Sequence, residues 1–421
     1  MRKKVLCIFG TRPEAIKMIP VVQALTRRHD AFVVKTCVTA QHREMLDQVL
    51  DLFGITPDYD LNVMQAGQTL TELAATIIRG LTPVLEAEKP DWVLVQGDTT
   101  TTMAASLTAF YLRIPVGHVE AGLRTYNKQH PFPEEGNRRI TGVLADIHFA
   151  PTQQAAEHLL AEGVLPETVV VTGNTVIDAL YAVASLPYDP AGTPLADVPF
   201  DSRRIIAVTA HRRENFGYPM EEICIALRSI ADRHPDVHLV WPVHLNPNVR
   251  KPVYRFLGDL PNVTLLSPLE YQPLVWLLKQ CSFVITDSGG LQEEAPGLGK
   301  PVLVLRETTE RPEGVTAGTV RLVGPNRAEL LTWATRLLSD DEAYKTMAHA
   351  VNPYGTGHAS EHIARVLAGL LPLPHDVENI AITPDRSNDP VASRTPVVAM
   401  PSRRFEVITG EKLGDVHVNN A

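Results

Sequence analysis

Residues 91–120 read DWVLVQGDTTTTMAASLTAFYLRIPVGHVE. One apolar run closes at Asp98, four threonines open a stretch of helical period, and a second apolar run closes at Glu120. Strands that are apolar on both faces, joined through a helix, are the pattern of a parallel βαβ unit whose sheet is covered on both sides. Outward from this unit, KKVLCIF and FVVKTCVT come before it and IHFAPT and VVVTGN after it. A helical stretch after Asn174 leads into YDPAGTPLADVPFDS (188–202), whose Pro, Asp and Gly content marks a linker. The alternation then restarts with RIIAVTA, VHLVWPV, VTLLSP, SFVITDS, PVLVLR and TVRLVG. The expected fold is therefore α/β: two Rossmann-like doubly wound domains, 1–175 and 176–354, around a central cleft, with ligands at the carboxyl ends of the strands.

Composition agrees with this. A chain of 421 residues exceeds one ordinary core and calls for two domains. With 44% hydrophobic and 21% charged residues it reads as a soluble globular protein, and no apolar run approaches the roughly 20 residues of a membrane span. The start, MRKKVLCIFGTRPE, is too short in apolar residues for an export signal and reads as a first strand. Cys7, Cys37, Cys224 and Cys281 lie far apart without CxxC spacing, three of them expected in strand-like segments, and are expected as buried reduced thiols of a cytoplasmic protein. A net charge of −9 argues against nucleic-acid binding. From 371 to 421 periodicity is lost among prolines and polar residues, and this tail reads as disordered or loosely docked.

Chemistry gathers at the strand ends. In FGTRPEAIK, Thr11 and Glu14 have capping-box spacing and Pro13 sits in the first turn, so Arg12 and Lys17 stand near a helix N-terminus suited to phosphate; solvated charges on a capped helix are the alternative. In TDSGGLQEEAP, Ser288 and the amides of Gly289 and Gly290 can cradle a diphosphate, and Glu293 or Glu294 can accept from ribose hydroxyls; a plain tight turn is the alternative. Neither GxGxxG nor GxxxxGK[ST] occurs. Downstream, Arg306 and Arg311 are available for anions. Asp98, Glu120 and Glu134 all fall in the first half; Asp98 could be only a helix cap and Glu120 only a partner of Arg124. Burial of Glu120 is expected to raise its pKa toward acid–base range. His211, beside Arg212 and Arg213, points into the cleft from the other side or lies in solvent. His234, His238 and His244 are spread too far for one metal ion and read as structural.

Taken in order, FGTRPEAIK, TAQHREMLDQVL, GDTTTT, PVGHVEAGLRT, PFPEEGNR, TGNTVIDAL, AHRRENFG, PVHLNPNVR, TDSGGLQEEAP, GKPVLVLRETTERPEGVTAGT and NPYGTGHAS resemble the non-hydrolysing bacterial UDP-N-acetylglucosamine 2-epimerases over residues 3 to 370. The resemblance implies the glycosyltransferase-B architecture, a UDP-binding second domain, a helix within 355–370 crossing back to the first domain, and a homodimer. It implies reversible conversion of UDP-GlcNAc to UDP-ManNAc, by elimination of UDP to a bound 2-acetamidoglucal and re-addition, without NAD, metal or other cofactor. The product would supply bacterial surface polysaccharide. Matched by position, Asp98, Glu120, Glu134 and His211 carry catalysis. Arg12, Lys17, Leu269, Leu274, Ser288, Gly289, Gly290, Glu294 and Arg311 contact the nucleotide sugar, with Leu274 where some relatives set Phe against uracil. Gln41, Arg212 and His244 match an allosteric pocket, although Gly67 and Glu44 depart from it. A glycosyltransferase of the same architecture and a non-catalytic nucleotide-sugar sensor are the competing readings.

Overall fold

The computed structural model describes residues 2–40, 43–65 and 67–369. Gln41 and the tail from 371 therefore lie outside the described residues. The first half begins β1 (Lys3–Phe9), α1 (Arg12–Arg27), β2 (Phe32–Val38), α2 (Arg43–Phe53), β3 (Tyr59–Asp60) and α3 (Leu70–Glu88). It continues β4 (Trp92–Gln96), α4 (Thr100–Tyr111), β5 (Val116–Val119), α5 (Glu134–Leu144), β6 (Ile147–Ala150), α6 (Gln153–Ala161), β7 (Val169–Val171) and α7 (Thr175–Ala184). The second half runs β8 (Arg204–Thr209), α8 (Tyr218–Arg233), β9 (Val237–Pro242), α9 (Pro247–Leu257), β10 (Val263–Leu266), α10 (Tyr271–Gln280), β11 (Phe283–Thr286) and α11 (Gly289–Gly297). It ends β12 (Val302–Val304), α12 (Pro312–Ala317), β13 (Val320–Leu322), α13 (Arg327–Ser339), α14 (Asp341–Ala348) and α15 (Ala359–Leu367).

Both sheets are parallel throughout. The first has order β3-β2-β1-β4-β5-β6-β7 and the second β10-β9-β8-β11-β12-β13. Such sheets are buried on both faces, which is why β1 from Val5 to Phe9 and β11 from Phe283 to Ile285 are unbroken apolar runs. This is the glycosyltransferase-B architecture: two doubly wound sheets with interleaved helices. The two-residue β3 has no apolar run and was not foreseen. Cys7 and Cys37 lie in strands, but Cys224 is in α8 and Cys281 caps α10, correcting the reading of three strand cysteines. All four are buried free thiols.

The linker 188–202 holds no helix or strand among its residues, yet Leu195 and Val198 are buried against the second sheet with Leu277 and Val304. At the chain's other end α15 lies on α1 and α7, burying Ile363, Ala364 and Leu367 in their core. Polar contacts hold it there: Lys3 Nζ donates to the Leu367 carbonyl at 2.8 Å, Arg28 pairs with Glu361, and Asp178 of α7 accepts from the Ser360 amide at 2.9 Å. No helix among the described residues is long and apolar enough to cross a membrane.

Candidate active site

In each sheet the strand order reverses beside its first strand: β1 lies between β2 and β4, and β8 between β9 and β11. At such a switch point the following loops leave in opposite directions and open a crevice. The loops after these four strands are FGTRPE, GDTTTT, TAHRREN and TDSGG, so the motifs occupy two crevices.

Local chemistry shapes the first. Thr11 and Glu14 form the capping box of α1. Glu14, buried, accepts from the Gly10 and Thr11 amides at 3.1 and 2.8 Å and from the Thr99 and Thr102 hydroxyls at 2.7 and 3.2 Å. One carboxylate thus ties the two loops together, which accounts for Thr99 and Thr102 of the threonine run, while Thr101 bonds Thr39 at 2.9 Å. Gly10 is required here, since an added Cβ would lie 2.0 Å from Thr39 Oγ1. The cap of α4 is Thr99, so the capping alternative for Asp98 is not what the structure has.

A cleft of about 680 Å³ joins the two halves. Arg12 and Lys17 line it from the first half; His211, His244, Leu269, Leu274, Ser288, Gly290, Glu294 and Arg311 line it from the second. Gly289 sits beneath Arg311, where a Cβ would come within 2.6 Å of its Nη1. The side chain of Asp287, fully buried at the end of β11, accepts from the amides of His211 and Arg212 at 2.8 Å each and lies 3.3 Å from His211 Nδ1. It fixes the His211 loop. Burial holds the His211 pKa below the usual imidazole value against Asp287, with Arg212 and His244 adding to the lowering. His244 stacks on His211 at 5.7 Å and its Nδ1 accepts from the Asn246 amide at 3.1 Å. Glu294 accepts from Tyr271 Oη at 2.9 Å, and burial pushes its pKa up to about 7. Arg306 is not in the cleft: it pairs with Glu214 at 2.6 Å and lines a separate surface concavity with Tyr218 and Arg327.

None of the three candidate acids lines this cavity. Glu120 lies directly behind Lys17, whose Nζ is 2.6 and 2.7 Å from its two carboxylate oxygens. Its partner is thus Lys17, and Arg124 instead binds Glu162 at 2.7 Å. The expected upward pKa shift is also corrected: burial raises it, but Lys17, Arg311 and the Asn174 amide outweigh burial and hold Glu120 below the usual carboxylate value. Its backbone is left-handed, φ 62°, a strained state for a non-glycine residue that clusters at functional sites. Gln96, at the end of β4, also donates to it. Asp98 is held by Arg138 Nη2 at 2.6 Å. Glu134 opens α5, one turn before Arg138, and among the described residues its buried Oε2 has no hydrogen-bond partner. Glu135 accepts from the Thr125 and Tyr126 amides at 3.0 and 3.1 Å and from Arg138 Nη1 at 3.3 Å, supporting the start of α5.

Sequence reading passed over Asp287, Gln96 and Asn174. Asp287 had a signal, an acid closing a buried strand just before Ser288; Asn174, standing just before a helical stretch, carried no signal beyond what any helix cap would give. Among the described residues no cluster of three or more His, Cys, Asp or Glu side chains could hold a metal ion.

The UDP-N-acetylglucosamine 2-epimerase family model matches residues 23–368. The UDP-N-acetylglucosamine 2-epimerase of Escherichia coli K12 is 58% identical over 369 residues, 86% of this chain and 98% of that protein. The crystal structure of the Neisseria meningitidis UDP-GlcNAc 2-epimerase bound to UDP-GlcNAc has a TM-score of 0.80 at 52% identity, covering 87% of this chain and 100% of that one. A Listeria monocytogenes structure described as a putative UDP-N-acetylglucosamine 2-epimerase has a TM-score of 0.83 at 49% identity, covering 88% and 97%.

Proposed function

Because the chain belongs to the UDP-N-acetylglucosamine 2-epimerase family, we propose that it interconverts UDP-GlcNAc and UDP-ManNAc in the cleft between its two sheets. The observation that carries the reading is the pairing of Lys17 with Glu120: a cation facing the cleft with a buried carboxylate immediately behind it. Leu269 and Leu274 offer apolar surface to a uracil, Glu294 an acceptor to the ribose, and Ser288, the α11 N-terminus and Arg311 a seat for the diphosphate. The sugar then extends toward Lys17 and the carboxylates of the first half.

Epimerisation proceeds by elimination. A carboxylate takes the C2 proton, the C2–H electron pair forms the C1=C2 bond of a 2-acetamidoglucal, and the C1–O pair leaves with UDP. Re-addition of UDP at C1, with a proton delivered to the opposite face of C2, gives the epimer. Arg311, Arg12 and His211 stabilise charge on the departing diphosphate, and Asp98, Glu120 and Glu134 are the candidate acids and bases. Since the acids stand behind the cavity wall, the two halves close on the sugar before reaction, which also retains the glucal.

Four buried thiols suit a reducing, cytoplasmic setting, where we infer that the product supplies surface polysaccharide. Exposed Phe110 and Tyr111 on α4 and Ile140 and Val143 on the adjoining α5 offer surface to a second copy in a homodimer. Arg212, whose Nε is buried without a partner among the described residues, and His244 are candidates for a regulatory nucleotide-sugar site; a strictly hyperbolic rate curve, unaffected by added UDP-GlcNAc when UDP-ManNAc is the substrate, removes that role. The activity itself is tested by incubation with UDP-GlcNAc in D₂O under NMR. Deuterium at C2 with UDP-ManNAc appearing is expected; folded protein giving neither overturns the reading, and UDP release only with an acceptor present points to a glycosyltransferase.

A further inference from the structure

Asn174 stands between β7 and α7, where the first half ends, and is 2% exposed. Its Oδ1 caps α7 by accepting from the Val176 amide at 3.1 Å. The cap leaves the amide nitrogen free to act elsewhere. Nδ2 lies 3.2 Å from Glu120 Oε1 and 3.1 Å from Glu293 Oε2, so its two N–H groups serve two carboxylates, one from each half of the molecule. Glu293, 1% exposed, in turn accepts from Arg311 Nε at 2.5 Å and lies 4.0 Å from Lys17. The result is a buried chain, Arg311–Glu293–Asn174–Glu120–Lys17, whose two ends line the cleft.

We propose that Asn174 is a positioning residue that holds Glu120 in register with the diphosphate end of the cleft through Glu293. Two carboxylates converging on one point repel unless donors separate them. Lys17 and Arg311 supply charge from the outside, and Asn174 supplies the only neutral donor shared by both among the described residues. A serine or aspartate at this position would cap α7 equally well, so capping alone does not require an amide. The bridge also makes occupancy of Arg311 felt at Glu120: a diphosphate drawing Arg311 away from Glu293 leaves Glu293 to rely on Asn174 and Lys17, which are the groups that hold Glu120.

The inference rests on the epimerase reading, and its test separates the two. Asn174→Ser keeps an acceptor for the cap and loses both carboxylate bonds; Asn174→Asp keeps size and cap but replaces the donor with a third carboxylate. Turnover by C2–deuterium exchange, UDP binding, melting temperature and the pH–rate profile are measured for both. The expected result is a loss in kcat on the order of 10²-fold, UDP affinity within about twofold of the parent, and an acid limb moved to higher pH, further for Asn174→Asp, because Glu120 has lost a donor to its ionised form. Isotope-edited infrared titration of the carboxylates, with Glu120→Gln as the subtraction, reads the same shift without turnover. A lowered melting temperature with unchanged kcat and unchanged Glu120 titration overturns the proposal and leaves Asn174 a cap. Absence of C2 exchange in the parent protein overturns the epimerase reading instead, and the infrared titration still decides whether Asn174 sets Glu120.

Discussion

At the scale of residues, the cleft is governed by how buried carboxylates are paired. Glu120 is kept ionised by Lys17, Asn174 and Gln96 despite its burial, so it suits proton abstraction more readily than donation. Glu120→Gln keeps the side chain's size and removes the carboxylate; turnover in the D₂O assay is expected to fall by about 10² to 10⁴-fold with UDP binding retained, and near-parental turnover takes Glu120 out of the catalytic set. Glu294 has the opposite environment. Its pKa is lifted to about 7, so it is mostly protonated at pH 6 and mostly ionised at pH 8. The folded state then holds a proton that the unfolded chain releases above its ordinary carboxylate value, and this contribution to stability is lost as pH rises through about 7. If its ionised form receives the ribose hydroxyls, affinity for UDP-GlcNAc, whose diphosphate does not titrate in this range, rises with pH across the same window. Calorimetric titration from pH 6 to 8 checks this, and Glu294→Gln is expected to flatten the step.

Among the elements, β5 and β6 carry a pair of histidines in register, His118 opposite His148, both buried. Burial lowers the first to about 3 and the second to about 4, with Arg124 nearby opposing protonation of each. Below the unfolded value near 6.5 the unfolded chain binds protons that the folded sheet refuses, so stability falls as pH drops toward 4. Each histidine contributes a slope of about 1.4 kcal/mol per pH unit; denaturant midpoints at pH 7 and 5 measure it, and His118→Asn should shallow the dependence. Helix α15 is the other element with a clear energetic role. Ile363 is fully buried between α15, α1 and α7, so Ile363→Ala is expected to cost about 2–5 kcal/mol, read as a lowered melting temperature. The capping box of α1 and the longer strands were legible in the sequence, because propensity and capping are local. The two-residue β3 and the start of α5 at Glu134 were not, since the first carries no pattern and Pro133 supplies no side-chain cap to mark the second.

For the whole molecule, the family match ends at residue 368 and α15 at Leu367. A chain truncated after Leu370 is therefore expected to retain C2 exchange and its melting temperature; loss of either shows that the tail serves the body. Val143, 84% exposed on α5, is a place to test assembly: Val143→Glu should shift a homodimer toward monomer in light scattering, and an unchanged mass moves the interface elsewhere. By itself the sequence determined the two α/β halves and the strand ends whose loops, with Arg12, Lys17, His211, Ser288 and Arg311, line the cleft, because apolar periodicity and loop chemistry are written in neighbouring positions. Only the tertiary structure decided which polar groups pair: Lys17 rather than Arg124 for Glu120, Glu214 rather than a ligand for Arg306, and Asn174 between Glu120 and Glu293. Those choices depend on which loops the two switch points bring within about 3 Å of one another, and residues 103 or 119 positions apart in the chain carry no local sign of that contact.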